Sequence, residues 1–134
     1  MKEQLLIEEA LSARAQAYCP YSNFAVGAAL LTGSGKIYHG CNVENASYSV
    51  ANCAERTAIF KAVSEGEKDF VAIAVVGGQK DVPPVDYVYP CGVCRQVMAE
   101  FGNPDEFRII VAKTVNDYKT YILKELLPES FALL

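Results

Sequence analysis

The chain lacks any apolar stretch approaching the length of a membrane span, and it has no internal repeat, low-complexity tract or inter-domain linker. These absences argue against membrane-spanning helices and against a repeat architecture. A concentrated basic surface is missing too. Lys and Arg total 12 against 16 Asp and Glu, the basic residues are scattered, and the formal charge is -4. Phosphate backbones are bound by clustered Lys and Arg, so a nucleic-acid partner is not expected. Met1 to Leu6 carries no long apolar run and acidic residues follow by Glu9, so it does not read as a signal peptide. Five cysteines, an odd number, do not suit a disulfide framework. A reducing compartment, the cytoplasm, is the expected location.

What is present is ordinary globular material: 134 residues, 51% hydrophobic and 21% charged, enough for one domain over 1-134 with a real core. Leu5, Leu6, Ala10, Leu11, Ala13 and Ala17 recur at helical spacing, which predicts an amphipathic helix from residue 3 to about 18, ended by Cys19-Pro20. Residues 25–32 and 36–41 flank Gly33-Ser34-Gly35 and predict a β-hairpin, with Gly27 at a close packing point. Residues 42–50 read as a structured loop, 51–65 as a helix stopped by Gly66, and 70–76 as a buried strand. Loop then runs from Gly77 to Tyr89, a short helix from Cys91 to Phe101, and strands over 108–112 and 118–123. That order implies an α/β fold: a single-domain three-layer sandwich, with a mixed sheet of about five strands and helices on both faces.

Two fragments carry chemistry. Cys53-Ala54-Glu55-Arg56 opens one helix, and Pro90-Cys91-Gly92-Val93-Cys94-Arg95 opens another. The Cys91-x-x-Cys94 spacing lets both thiolates reach one ion from the first turn of a helix, where the helix dipole lowers thiol pKa. Taken alone it also fits a redox dithiol. Cys53, two residues before a glutamate, shifts the reading to Zn2+. Three thiolates leave one tetrahedral position open, as in a catalytic site, and Glu55 can stand beside it. Zinc would make water acidic enough to supply hydroxide, while Glu55 would shuttle protons as a carboxylate that is not a ligand, the pattern of the zinc deaminases. Arg56 and Arg95, which directly follow the two motifs, would offset the excess negative charge of the thiolates. His39 reads as a surface residue, Cys41 as a small buried residue near the site, and Cys19 as having no partner at ligand spacing.

Over nearly its whole length the sequence resembles the cytidine deaminase family, in particular its short-chain homotetrameric branch. The matching pieces are Tyr21-Ser22-Asn23-Phe24 with Val26 to Leu30, Gly40 to Ala46, Asn52 to Ala58, Pro90 to Val97, and Glu125-Leu126-Leu127-Pro128. The resemblance implies hydrolytic deamination of free cytidine or deoxycytidine. It implies ribose contacts from Asn42 and Glu44, a pocket wall from Phe24, and an N–H from Ala54 to the pyrimidine carbonyl. Tyr48 and Phe131 would reach the active site of an adjacent subunit. The chain departs from the family in carrying Tyr89 before Pro90 in place of a small hydroxyl residue. Val93 stands between the two ligands, and the Gly77 to Tyr89 loop is a few residues longer than usual. These departures bear on substrate identity, so a blasticidin-type antibiotic nucleoside is an alternative. A structural zinc protein is a second, opposed by Glu55.

Overall fold

The computed structural model describes residues 3–134, and Met1 and Lys2 lie outside the described residues. The chain runs α1 (Glu3–Arg14), β1 (Phe24–Thr32), β2 (Ile37–Cys41), a 3-10 turn (Tyr48–Val50) and α2 (Ala54–Ser64). It continues through β3 (Phe70–Gln79), α3 (Gly92–Phe101), β4 (Arg108–Thr114), β5 (Asp117–Ile122) and α4 (Leu123–Leu126). The five strands form one sheet in the order β2-β1-β3-β4-β5. Only β3 and β4 pair in parallel, joined by the crossover through α3, and every other neighbour is antiparallel.

Strand alternation divides the core into two layers. Leu30, Ile73, Val75, Ile109 and Val111 face α2 and α3, packing on Ala58, Ile59, Cys94 and Met98. Ala29, Ala72, Ala74, Val76 and Ile110 face α1, packing on Leu6, Ile7 and Ala10. A sheet covered on both faces has no solvent side, which is why β1, β3 and β4 read as continuous apolar runs rather than alternating ones. The three-layer arrangement expected from the element order is the one observed.

Element boundaries moved for identifiable reasons. The first helix stops at Arg14, short of 18, because Tyr18 is drawn into extended pairing: its N–H donates to Asn42 O (2.9 Å) and its carbonyl accepts from Glu44 N (2.8 Å). The second helix begins at Ala54 rather than Ala51, because Asn52 exchanges backbone hydrogen bonds with Val43. The third strand continues through Gly77 and Gly78, where β1 supplies the ladder: Val26 faces Gly77 and Ala25 faces Gly78. No helix among the described residues is long and apolar enough to cross a membrane.

Two glycines set how closely helices seat on the sheet. A Cβ at Gly27 would lie 2.1 Å from Ala10 O, and one at Gly40 would lie 2.2 Å from Ala54 O and 2.5 Å from Ala58 N. The bare backbone at Gly40 therefore lets the first turn of α2 rest directly on β2.

Candidate active site

Both helices that face the same side of the sheet begin at one point. Cys53 is the N-cap of α2 and Cys91 the N-cap of α3, each with extended backbone and neither using its side chain as a cap. Their sulfurs are thus free for another partner. Cys94, one turn into α3, is buried, Cys53 is half-buried and Cys91 is exposed. The three Sγ atoms all lie within 4.8 Å of one another, and Cys53 Sγ is 3.9 Å from Cys91 Sγ. A tetrahedral zinc thiolate site with bonds of about 2.3 Å separates its sulfurs by roughly 3.8 Å, so the donor set and spacing fit Zn2+ and leave a fourth position for a non-protein ligand.

The electrostatics of the cluster follow from crowding, burial and the nearby Arg56. The Cys53 thiol is drawn down to about 5, first by a hydrogen bond from Cys94, with burial opposing and Arg56 assisting. Cys94 is pushed up by donating that bond and by burial. The Arg56 guanidinium donates from Nη2 to Cys53 Sγ at 3.2 Å, which sets a positive charge against the cluster. Arg95 has a different task. Its Nε donates to Pro90 O and its Nη1 to Leu126 O, both at 2.7 Å, bracing the start of α3 against α4.

Glu55, in the first turn of α2, is 4% exposed. Burial, the largest influence, pushes its carboxyl up to about 7; a hydrogen bond from its own backbone N–H opposes this and the neighbouring Cys53 adds to it. It has no salt-bridge partner among the described residues. A buried carboxyl poised near neutrality beside an open metal position is a group that can both take and give a proton.

Glu55, Cys53 and Cys91 line a cavity of about 250 Å³ together with Asn42, Glu44, Ala54, Val88 and Tyr89. Six of the residues singled out in the sequence as metal, catalytic or substrate positions therefore meet in one place. Asn42 receives Val26 N–H on Oδ1 (2.9 Å) and donates Nδ2 to Phe24 O (2.8 Å). Phe24 itself lines the adjoining cavity, which shares Val88 with the first, and its ring lies over Gly77. Tyr48, 78% exposed, borders a third cavity that shares Glu44 and Ala51, and its ring meets Tyr21 edge-on at 6.2 Å. Phe131, 69% exposed, lines none of these three; Gln96 Nε2 donates to its carbonyl at 3.0 Å.

Some contributors were not evident from the sequence. Arg14 donates to Ala25 O, Gln79 O and Val82 O, tying the ends of β1 and β3 to the loop that carries Val88 and Tyr89. Tyr121, on the edge strand β5, places its hydroxyl 3.0 Å from that of Tyr89 and packs edge-on against it. No local spacing connects residues this far apart in the chain. Of the residues set aside, His39 pairs with Glu9 at 2.9 Å on a partly exposed face, and Cys41 is half-buried rather than buried.

An open three-thiolate zinc site with an unligated, buried carboxylate, set at two helix N-termini over a mixed sheet, defines a hydrolytic zinc enzyme. The comparison with known families gives the particular kind. The chain belongs to the family described by the cytidine and deoxycytidylate deaminase zinc-binding region, whose model matches residues 1–110. A cytidine deaminase of Halalkalibacterium halodurans is 51% identical over 131 residues, covering 98% of this chain and 95% of the relative. One from Sporosarcina psychrophila is 50% identical over 132 residues, covering 98% and 93%. The crystal structure of the Burkholderia pseudomallei cytidine deaminase superposes with a TM-score of 0.88 at 49% identity, covering 98% of this chain and all of the other.

Proposed function

We propose that the protein, acting as one domain over 1-134, hydrolyses free cytidine and deoxycytidine to uridine and deoxyuridine with release of ammonia, a pyrimidine salvage step in the cytoplasm. The observation that carries this reading is Glu55, buried and unligated beside the Cys53, Cys91 and Cys94 sulfurs on the wall of a nucleoside-sized recess. When bound, Zn2+ supplies a Lewis acid that brings water within reach of deprotonation near neutral pH. Glu55 accepts one water proton as the oxygen attacks the amino-bearing ring carbon and passes it to the ring nitrogen. It then takes the second proton from the new hydroxyl and gives it to the amino group, which leaves as ammonia as the C–N bond breaks and the carbonyl forms. Burial, which raises the proton affinity of this carboxyl above its ordinary value, suits transfer in both directions.

The backbone N–H of Ala54 holds the pyrimidine carbonyl, Asn42 and Glu44 take the sugar hydroxyls, and Phe24 closes the side of the recess. The Tyr89 carbonyl accepts from the leaving amino group. Among the described residues lining the cavity, none is Lys or Arg, which favours an uncharged nucleoside over a nucleotide. Tyr48 and Phe131 complete the site of a neighbouring subunit in a homotetramer. Both are exposed in the single chain, and Gln96 fixes the backbone from which Phe131 projects.

Loss of absorbance on mixing the zinc-loaded protein with cytidine, deoxycytidine and blasticidin S tests the reading directly. Turnover of both pyrimidine nucleosides is expected. Turnover of blasticidin S alone would move the assignment to antibiotic nucleosides, with the bulky Tyr89 at the wall as the reason. Glu55→Gln should keep zinc while losing activity, and an active Gln variant would overturn the mechanism.

A further inference from the structure

The Glu44 carboxylate is held by three donors from one short turn. Tyr21 N and Ser22 N donate to Oε1 at 3.0 and 3.1 Å, and the Ser22 hydroxyl donates to Oε2 through a very short hydrogen bond. The same hydroxyl accepts Phe24 N–H at 3.0 Å, so its rotor has one satisfied orientation. The turn is itself ordered. Asn23 adopts a left-handed conformation at φ 57°, its N–H donates to Cys19 O, and its carbonyl accepts from Lys80 N.

A carboxylate offers about four acceptor positions, two on each oxygen. Two N–H groups saturate Oε1 and the serine takes one position of Oε2, so one position on Oε2 remains. We infer that Ser22 is a positioning residue for sugar recognition: its hydroxyl fixes the Glu44 carboxylate so that a single acceptor position is kept for one hydroxyl of the substrate. The inference rests on the proposed role of Glu44 as a sugar contact. Ser22 is also the leading influence that holds the Glu44 carboxyl below its ordinary range, which keeps it an anion and a full acceptor. Without the serine hydroxyl, Oε2 gains a second free position open to water, Phe24 N–H loses its acceptor, and the carboxylate is held through Oε1 alone. Ser22 makes no hydrogen bond to Cys53, Cys91, Cys94 or Glu55, which stand at the starts of α2 and α3, so its effect belongs to binding rather than to the chemical step.

Steady-state kinetics with cytidine on Ser22→Ala, Ser22→Thr, Glu44→Gln and the Ser22→Ala/Glu44→Gln double variant test this. Ser22→Ala should raise KM by about tenfold, the scale of one hydrogen bond to a charged group, with zinc content kept and kcat altered less than about twofold. Ser22→Thr, which retains the hydroxyl, should recover most of the affinity. In the Glu44→Gln background the alanine should add little, because its target is gone. If Glu44→Gln raises KM and Ser22→Ala does not, or if the alanine acts equally in both backgrounds, the inference falls while the sugar role of Glu44 stands. If Glu44→Gln leaves KM unchanged, that role falls and the inference with it. Unfolding of Ser22→Ala would assign the hydroxyl to the fold instead and likewise overturn the inference.

Discussion

Three thiolates around a dication leave one surplus negative charge, and Arg56, 3.2 Å from Cys53 Sγ, is placed to spread it. Arg56→Gln is expected to weaken zinc binding by about 10- to 100-fold, the usual effect of removing such a supporting contact, as read by competition with a chromophoric chelator. Glu55 gives a second expectation, this one about stability in protein stripped of metal. Its folded pKa, about 7, exceeds its ordinary 4.5. The native state therefore holds the extra proton across that window, and stability falls as pH rises from 4.5 through 7. Glu55→Gln escapes the loss. The stripped variant should unfold with the wild type near pH 4.5 and outlast it at pH 8, by on the order of 3 kcal/mol in denaturant titrations. At this scale Cys53, Glu55, Cys91 and Cys94 were legible because a helix turn brings near neighbours in sequence to one spot. Ser22, Arg14 and Tyr121 were not, since each acts on a residue at least eleven positions away and nothing in local spacing records that.

The elements were read well where burial alone decides and less well where pairing does. The hairpin, the two site helices and the run of β3 follow from apolar periodicity and turn residues. Gly77 and Gly78 read as loop because glycine disfavours strands, yet the partner strand β1 holds both in the ladder. The contrast between Gly27 and Gly40 can be measured. Either alanine substitution forces a Cβ into helix backbone and should cost about 1–3 kcal/mol. Only Gly40→Ala pushes on Ala54 and Ala58, in the helix that begins beside Cys53 and contains Glu55. It should reduce kcat and zinc affinity together with the melting temperature. Gly27→Ala presses on α1 and should lower the melting temperature while the zinc-loaded enzyme turns over normally. Equal damage to kcat from both would show that the seating of α2 has no special bearing on the site.

For the whole molecule, the proposed intersubunit role of Tyr48 and Phe131, both exposed on their own chain, is open to a direct test. Mixed oligomers offer a sharp check. Glu55→Gln subunits lack the proton carrier but offer an intact Phe131, and Phe131→Ala subunits are the reverse. Co-assembled oligomers should exceed the mean activity of the two parents measured separately; simple averaging would remove the intersubunit role. The sheet order has a further consequence, for the life history of the chain. Cys53 and Cys91 stand 38 positions apart, with the central strand β3 threaded between them. An ion held by all three cysteines therefore waits on synthesis of the first turn of α3, which carries Cys91 and Cys94, and closes a loop that contains the whole of β3. With a core packed on both faces of the sheet, the scaffold is expected to keep its fold when the ion is stripped, unlike the small zinc modules that stay unfolded until metal arrives, and far-UV circular dichroism after chelation checks it.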